Sequence, residues 1–389
     1  MQPTHCKTLA FGTVQVHKEG VLGANSRTKQ IRKDFIANPS QTLHLESMNA
    51  RVLPSLCRLA LPVLVAAALH PASAQNATTI PVGYIKSVSL GANSTSNITA
   101  NTDVSISLPL NRPVVFASAV ASVSGSNVTI QNATFGAGNL TTEPHLLEIA
   151  SGTGEGVAGL ITSHNSTTCT VDVPTGLSFN GVVSGDAVRI RKAWTVASIF
   201  TNATVPVGTQ VLLRSGTIAG INLAPDTGYD WDGANWLDSN LEPADSAVLY
   251  GGEMILVRNP TGTVLSNLVL VGEVPTHKTK IVLSNVNPSS QQDIFIAYQS
   301  PVPETVGNSS VTAAAQFGDR LLFVDNSLTG LNKAPSISVE YDGAAWLDEN
   351  LDDVTNTFNI PPGSGIIYRR QPAGNATIWT QDPTYLPLP

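Results

Sequence analysis

The sequence predicts an all-β chain. It divides into two homologous sandwich-like or barrel-like β units, the first carrying an inserted small barrel, behind an N-terminal leader and a signal helix. Three observations carry this expectation: apolar and polar residues alternate with period two, turn residues break the alternation at short intervals, and one motif set recurs at a fixed spacing.

The alternation is clear in Val104-Ser-Ile-Ser-Leu108, Val128-Thr-Ile130, Thr170-Val-Asp-Val173 and Ala187-Val-Arg-Ile-Arg191. Successive side chains of a strand point to opposite faces, so such runs place one face in a core and the other toward water. Gly125-Ser126, Gly185-Asp186 and Asp342-Gly343 punctuate the runs as turns. No amphipathic helical period extends beyond about two turns.

The repeat defines the organisation. Gly220-Ile-Asn-Leu-Ala-Pro225 recurs as Gly330-Leu-Asn-Lys-Ala-Pro335, and Trp231-Asp-Gly-Ala-Asn-Trp-Leu-Asp-Ser-Asn-Leu241 as Tyr341-Asp-Gly-Ala-Ala-Trp-Leu-Asp-Glu-Asn-Leu351, both at a spacing of 110 residues. Downstream, Arg258-Asn-Pro-Thr-Gly262 matches Arg370-Gln-Pro-Ala-Gly374. Upstream, the run from Ser107 to Val114 loosely echoes the run from Phe295 to Val302. The first copy is longer because residues 119–193 read as a barrel of their own, with a hairpin at Val123–Ile130, a strand at Leu146–Ile149 and a closing segment from Val182 to Arg191. The expected parse is a first unit of 75–118 plus 194–264, the inserted barrel at 119–193, and a second unit of 265–389.

Ahead of these, Met48-Asn-Ala-Arg51 is followed by an apolar run from Val52 to Leu69 and by Pro71-Ala72-Ser73-Ala74-Gln75. A basic start, an apolar stretch and an Ala-x-Ala exit form the secretory pattern, with cleavage expected after Ala74. A membrane anchor wants about 20 apolar residues, and Arg58 interrupts this run. Segment 48–74 is therefore read as a signal peptide, and 1–47, polar, basic and aperiodic, as a disordered leader or a start codon set too far upstream. The exported chain is then periplasmic, cell-surface or extracellular.

Of the 21 Lys and Arg, eight precede Gln75, as do three of the 28 Asp and Glu, which leaves 13 against 25 and a net charge of −12. Such a surface lacks the basic footprint that nucleic acid or anionic lipid requires. No stretch after Gln75 is long and apolar enough to span a membrane as a helix. Only Cys169 follows the expected cleavage point, so no intrachain disulfide forms there. The Asn-x-Ser/Thr sequences, Asn127, Asn165 and Asn308 among them, are read as the chance product of a chain rich in those residues.

Candidate chemistry is sparse. Asp230, Asp232 and Asp238 form an acidic group that suggests calcium, since Asp-x-Asp-Gly resembles the start of a calcium loop. Position twelve from Asp230 is Leu241 rather than a bidentate Glu, which favours a hairpin turn with solvated carboxylates. The Asp232-Gly233 and Asp342-Gly343 pairs suit two-residue type I′ turns. Gly154-Glu-Gly-Val-Ala-Gly159 fits a phosphate-loop spacing, but no βαβ unit surrounds it, and it reads as a barrel bend. His164, Cys169 and Asp172 lie close in sequence without any nucleophile signature, and the thiol reads as a small core residue. Trp231, Trp236, Tyr341 and Trp346 are the candidate ligand-stacking aromatics, with a core role as the stronger alternative. No catalytic, cofactor or metal-ligating residue is predicted.

Pro81-Val-Gly-Tyr84 after an Ala-Gln junction, the Gly-x-Asn-x-Ala-Pro and Asp-Gly-Ala-x-Trp pairs, and the closing Trp379-Thr-Gln-Asp-Pro-Thr-Tyr385 together resemble an uncharacterised family of secreted β-rich proteins from Verrucomicrobia and related bacteria. The likeness covers the chain from Gln75 onward. It implies export, a β-rich fold and no established activity, and it supplies no catalytic residues. The segment Leu146 to Arg191 also resembles small barrels of phage tails and other extracellular bacterial proteins.

These readings give three functional expectations. The first is a non-enzymatic secreted or cell-surface protein with structural or adhesive duties, its partners polysaccharide or other cell-surface proteins. The second is a carbohydrate-binding module using the Trp hairpins. The third is a hydrolase built on paired carboxylates about 5–10 Å apart.

Overall fold

The computed structural model describes residues 81–86, 96–214, 216 and 218–386. The expected leader and signal peptide lie outside the described residues. Within the described residues the chain is almost entirely β, as its alternation predicts. The exceptions are one helical turn at Val196–Ile199 and a 3₁₀ turn at Val311–Ala313. Thr195 and Ser198 cap the first of these reciprocally, each side chain bonding the other's backbone N–H.

Two five-stranded antiparallel sheets share one strand order. The first runs Trp236–Leu237, Thr227–Trp231, Gln210–Leu213, Ile255–Asn259, Thr102–Ile106. The second runs Trp346–Leu347, Ile337–Tyr341, Arg320–Phe323, Gly365–Arg370, Gln292–Ala297. Each sheet has its own core, one built around Val104, Ile106, Val211, Trp236 and Val257, the other around Ile294, Leu321, Val339, Trp346 and Tyr368. Matching two-stranded ribbons accompany them: Trp194–Thr195 pairs with Val248–Leu249 beside the first, and Glu304–Thr305 with Asn359–Ile360 beside the second.

The ladders correct the repeat alignment at both ends. Gln210 faces Arg258 and Arg320 faces Arg369, so Arg258 corresponds to Arg369 rather than to Arg370. Sequence similarity had followed the Pro-x-Gly turn, and the second copy holds an extra residue between strand and turn. Upstream, Arg258 faces Asp103 and Arg369 faces Asp293, which sets Ser107 against Ala297 instead of Phe295. The apolar echo there carried no register, because register belongs to the hydrogen-bond ladder.

The strand Thr102–Ile106 also departs from the simple alternating picture. Every one of its residues is buried. Val104 and Ile106 enter the core, while Asp103 and Ser105 bond to the 326–332 loop of the second sheet.

In chain order a closed six-stranded barrel falls between Thr102–Ile106 and Gln210–Leu213 of the first sheet. Its strands in ring order are Val114–Ser124, Asn127–Ile130, Thr168–Asp172, Ala158–His164, His145–Ile149 and Ala187–Lys192, and the last pairs back onto the first. Val120, Val128, Leu147, Ile161, Val188 and Ile190 fill the interior. The first barrel strand begins at Val114 rather than 119. It is long enough to serve two neighbours, and register shifts at Val114/Phe116 and Val120/Ser122 bend it around the ring. No helix among the described residues is long and apolar enough to cross a membrane.

Candidate functional site

The repeated Asp-Gly motif builds a hairpin loop. Trp231 faces Trp236 and Tyr341 faces Trp346, so the loops span 232–235 and 342–345. These are four-residue loops, not the expected two-residue type I′ turns. Only the glycine takes positive φ, at 105° for Gly233 and 95° for Gly343. The aspartate instead closes the loop through its side chain: Asp232 Oδ1 accepts from the backbone N–H of Ala234 and of Asn235, each at 2.7 Å. Asp342 repeats this with Ala344 and Ala345.

Asp238 Oδ1 accepts from the N–H of Asn240 and Glu242, and Asp348 from those of Asn350 and Asp352. The amides of Asn235 and Ala234 hold the Asp232 carboxyl below the usual range, and those of Glu242 and Asn240 do so for Asp238. Asp230 accepts from Gln210 Nε2 at 2.7 Å. Of the acidic group expected for calcium, Asp232 and Asp238 are thus engaged in turn-making and Asp230 in a cross-strand bond. Among the described residues no group of three His, Cys, Asp or Glu is gathered so as to hold a metal ion.

The four aromatics divide into two kinds. Trp236 and Trp346 are 1% and 0% exposed. Phe200 stacks on Trp236 at 4.7 Å, and Trp346 Nε1 donates to Thr312 Oγ1 at 3.0 Å. With no free ring face, these two indoles are core anchors and not stacking platforms. Trp231 and Tyr341 lie tilted against them at 5.5 and 5.3 Å and remain half-buried.

The second repeated motif joins the two sheets. Gly330 O accepts from Asp103 N–H at 2.9 Å, and Asn332 N–H donates to Asp103 Oδ2 at 2.6 Å. Arg258 grips the same carboxylate through Nε at 2.8 Å and Nη2 at 2.9 Å, and Nη2 also donates to Asn332 Oδ1 at 2.6 Å. The mirror arrangement holds at the other end. Gly220 O accepts from Asp293 N–H at 2.9 Å, Asn222 N–H donates to Asp293 Oδ2 at 2.8 Å, and Arg369 makes the two-pronged contact at 2.7 and 3.0 Å. Asn222 and Asn332 both adopt left-handed backbone, φ 54° and 53°, which asparagine tolerates better than most side chains. Each Gly-x-Asn loop therefore leaves its own sheet and closes on the edge strand of the other. The motif was legible in the sequence, but its partners Asp103, Asp293, Arg258 and Arg369 were not. Nothing in a chain's local pattern connects residues 103 and 332.

A buried ionic group ties the barrel to the segment that leads into the second sheet. Arg191 Nε lies 2.7 Å from Glu148 and Nη1 lies 3.2 Å from Glu273, while His277 Nε2 approaches Glu148 at 3.3 Å. Burial pushes the Glu148 carboxyl up, but Arg191 and His277 outweigh it and hold the group down at about 2. No local pattern marks this group, because its members come from three separated strands and the loop that holds His277.

The remaining candidates resolve into structure. His164 and Cys169 face each other across the barrel ladder, but Cys169 is fully buried and burial pushes its thiol up to about 11. His164 Nε2 accepts from Leu140 N–H. The glycine-rich segment after Ile149 is the bend joining two barrel strands. An open, shallow depression of about 360 Å³ lies on the barrel, lined by Asn127, Ser163, His164, Asn165, Thr168 and Thr170. No family model, curated protein or solved structure matches the chain.

Proposed function

We propose that the chain is an exported, non-enzymatic bacterial protein with structural or adhesive duties at or beyond the cell surface. One observation carries the reading: the side chains that recur between the two copies are spent on construction. The Asp-Gly motif closes loops, the second aromatic of each motif, Trp236 or Trp346, anchors a core, and the Gly-x-Asn motif clasps the opposite sheet. A repeat selected for a reaction would aim its recurring polar groups at a common cleft. Here they face backbone amides and a structural arginine. The signal pattern at 48–74 and the resemblance to secreted proteins of Verrucomicrobia supply the compartment.

Fractionation of producing cells with an antibody against the barrel tests the reading. The expected species starts at Gln75 and partitions outside the cytoplasm. A cytoplasmic protein that retains residues 48–74 would refute it.

A second reading, a carbohydrate-binding module, is supported by the half-exposed rings of Trp231 and Tyr341 at equivalent places beside the hairpin loops. Polysaccharide titration followed by tryptophan emission discriminates the two. Emission unchanged across a panel of cell-wall and plant glycans removes the second reading.

A further inference from the structure

Among the described residues, nine non-glycine positions take positive φ. Five are asparagine, the side chain that best tolerates this conformation. Two are leucines at equivalent places in the two sheets, Leu241 at φ 63° and Leu351 at φ 65°. Each ends a short loop in which its own N–H donates to the carbonyl of Asp238 or Asp348. Left-handed backbone is costly for an ordinary L-residue, and glycine or asparagine relieves it. Packing within the chain does not compensate, because the two leucines are 74% and 77% exposed. Both copies thus keep a large apolar side chain in water, at a backbone position that disfavours it. Stability of the fold does not account for that choice twice.

We infer that Leu241 and Leu351 are contact residues for a partner protein, each entering an apolar socket rimmed by lysine or arginine. The rim chemistry follows from the neighbours: Glu242 is exposed beside Leu241, and Glu349, Asp352 and Asp353 are exposed beside Leu351. An anionic bilayer repels such loops. A second copy brings the same carboxylates on an acidic chain, 13 basic against 25 acidic residues from Gln75 onward. A cationic protein surface matches both the apolar tip and the charged surround. This names the contact chemistry of the adhesive reading and rests on it.

Two measurements test the inference. In producing cells, a photo-crosslinking amino acid is placed at 241, at 351 and, as a control, at the exposed barrel position Val183. The expected result is a discrete protein adduct from 241 and 351 that is absent from 183. Mass spectrometry should place the joined peptide beside lysine or arginine, and about 0.5 M salt should abolish the adduct by screening the charges. Adducts identical to those from 183, adducts to lipid, or adducts to a second copy overturn the proposal.

On purified protein, Leu241→Asn with Leu351→Asn is expected to raise the melting temperature by roughly 1–4 °C through relief of the strained backbone. A lowered melting temperature would mean the leucines serve the fold, and the proposal fails. Because this arm uses purified protein, a chain found in the cytoplasm refutes the export reading without bearing on it.

Discussion

Replacing Asp103 or Asp293 with alanine should cost nearly the same stability, because each carboxylate holds one end of a reciprocal clasp. Each accepts two charge-assisted hydrogen bonds from an arginine and one from an asparagine amide. Both aspartates are almost fully buried, at 2% and 3% side-chain exposure, so truncation strands a guanidinium and an amide at a dry interface. Breaking a buried pair by removing one partner costs about 3–5 kcal/mol. Arg258 and Arg369 retain 20% and 15% exposure and can recover some hydration. The expected loss is therefore about 3 kcal/mol for either variant, equal between them within ~1 kcal/mol. Urea denaturation monitored by tryptophan emission provides the assay. Glu340→Ala supplies the control, since its ion pair with Arg320 is 42–44% exposed and such pairs contribute about 0–1 kcal/mol. If Asp103→Ala and Asp293→Ala cost no more than Glu340→Ala, or if only one of them matters, the clasp does not hold the sheets together.

Three further outcomes follow from titratable groups that the fold desolvates, Glu148 and Cys169 buried and Glu253 partly so. Glu148 sits at about 2 in the fold, below its ordinary value near 4.5, so its contribution is present above that ordinary value and is lost as pH falls toward 2. An acid titration of wild type should show a loss on the order of 3 kcal/mol that Glu148→Gln does not show; parallel profiles would contradict the network. Glu253 behaves oppositely: burial pushes it up to about 7, so its protonated form suits the fold and stability declines as pH rises from about 4.5 through 7. Melting curves of Glu253→Gln should lack that decline, and an unchanged slope would show that the site is well hydrated. Cys169 should resist a thiol reagent at neutral pH until the barrel unfolds, because its sulfur is enclosed and its thiol is pushed up to about 11. Rapid labelling of the native protein would place that side chain at the surface.

Strand content, the turns, the hairpin at Val123–Ile130 and the repeat were all legible in the sequence. Each is written within a few neighbouring residues, or as a direct likeness between two short segments. The core role of Trp236 was legible as an alternative, since a large aromatic is commonly buried, but exposure is not a local property and only the packed sheet decided it. The turn differs from the expected two-residue type for a related reason. Asp232 bonds the amides of Ala234 and Asn235, and this lengthens the loop that a bare Asp-Gly pair suggests.

The amino-acid order alone determined which faces are apolar, where the chain turns and that one motif set occurs twice. A two-residue period and a glycine's freedom of φ act over a few bonds. Tertiary structure decided that Asp103 meets Arg258 and Asn332, that Asp293 meets Arg369 and Asn222, and that Glu148, Arg191 and His277 share one buried site. Those contacts join residues scores to hundreds of positions apart, chosen by sheet register and burial. A strand's own sequence specifies the direction of each side chain but not the partner that arrives there.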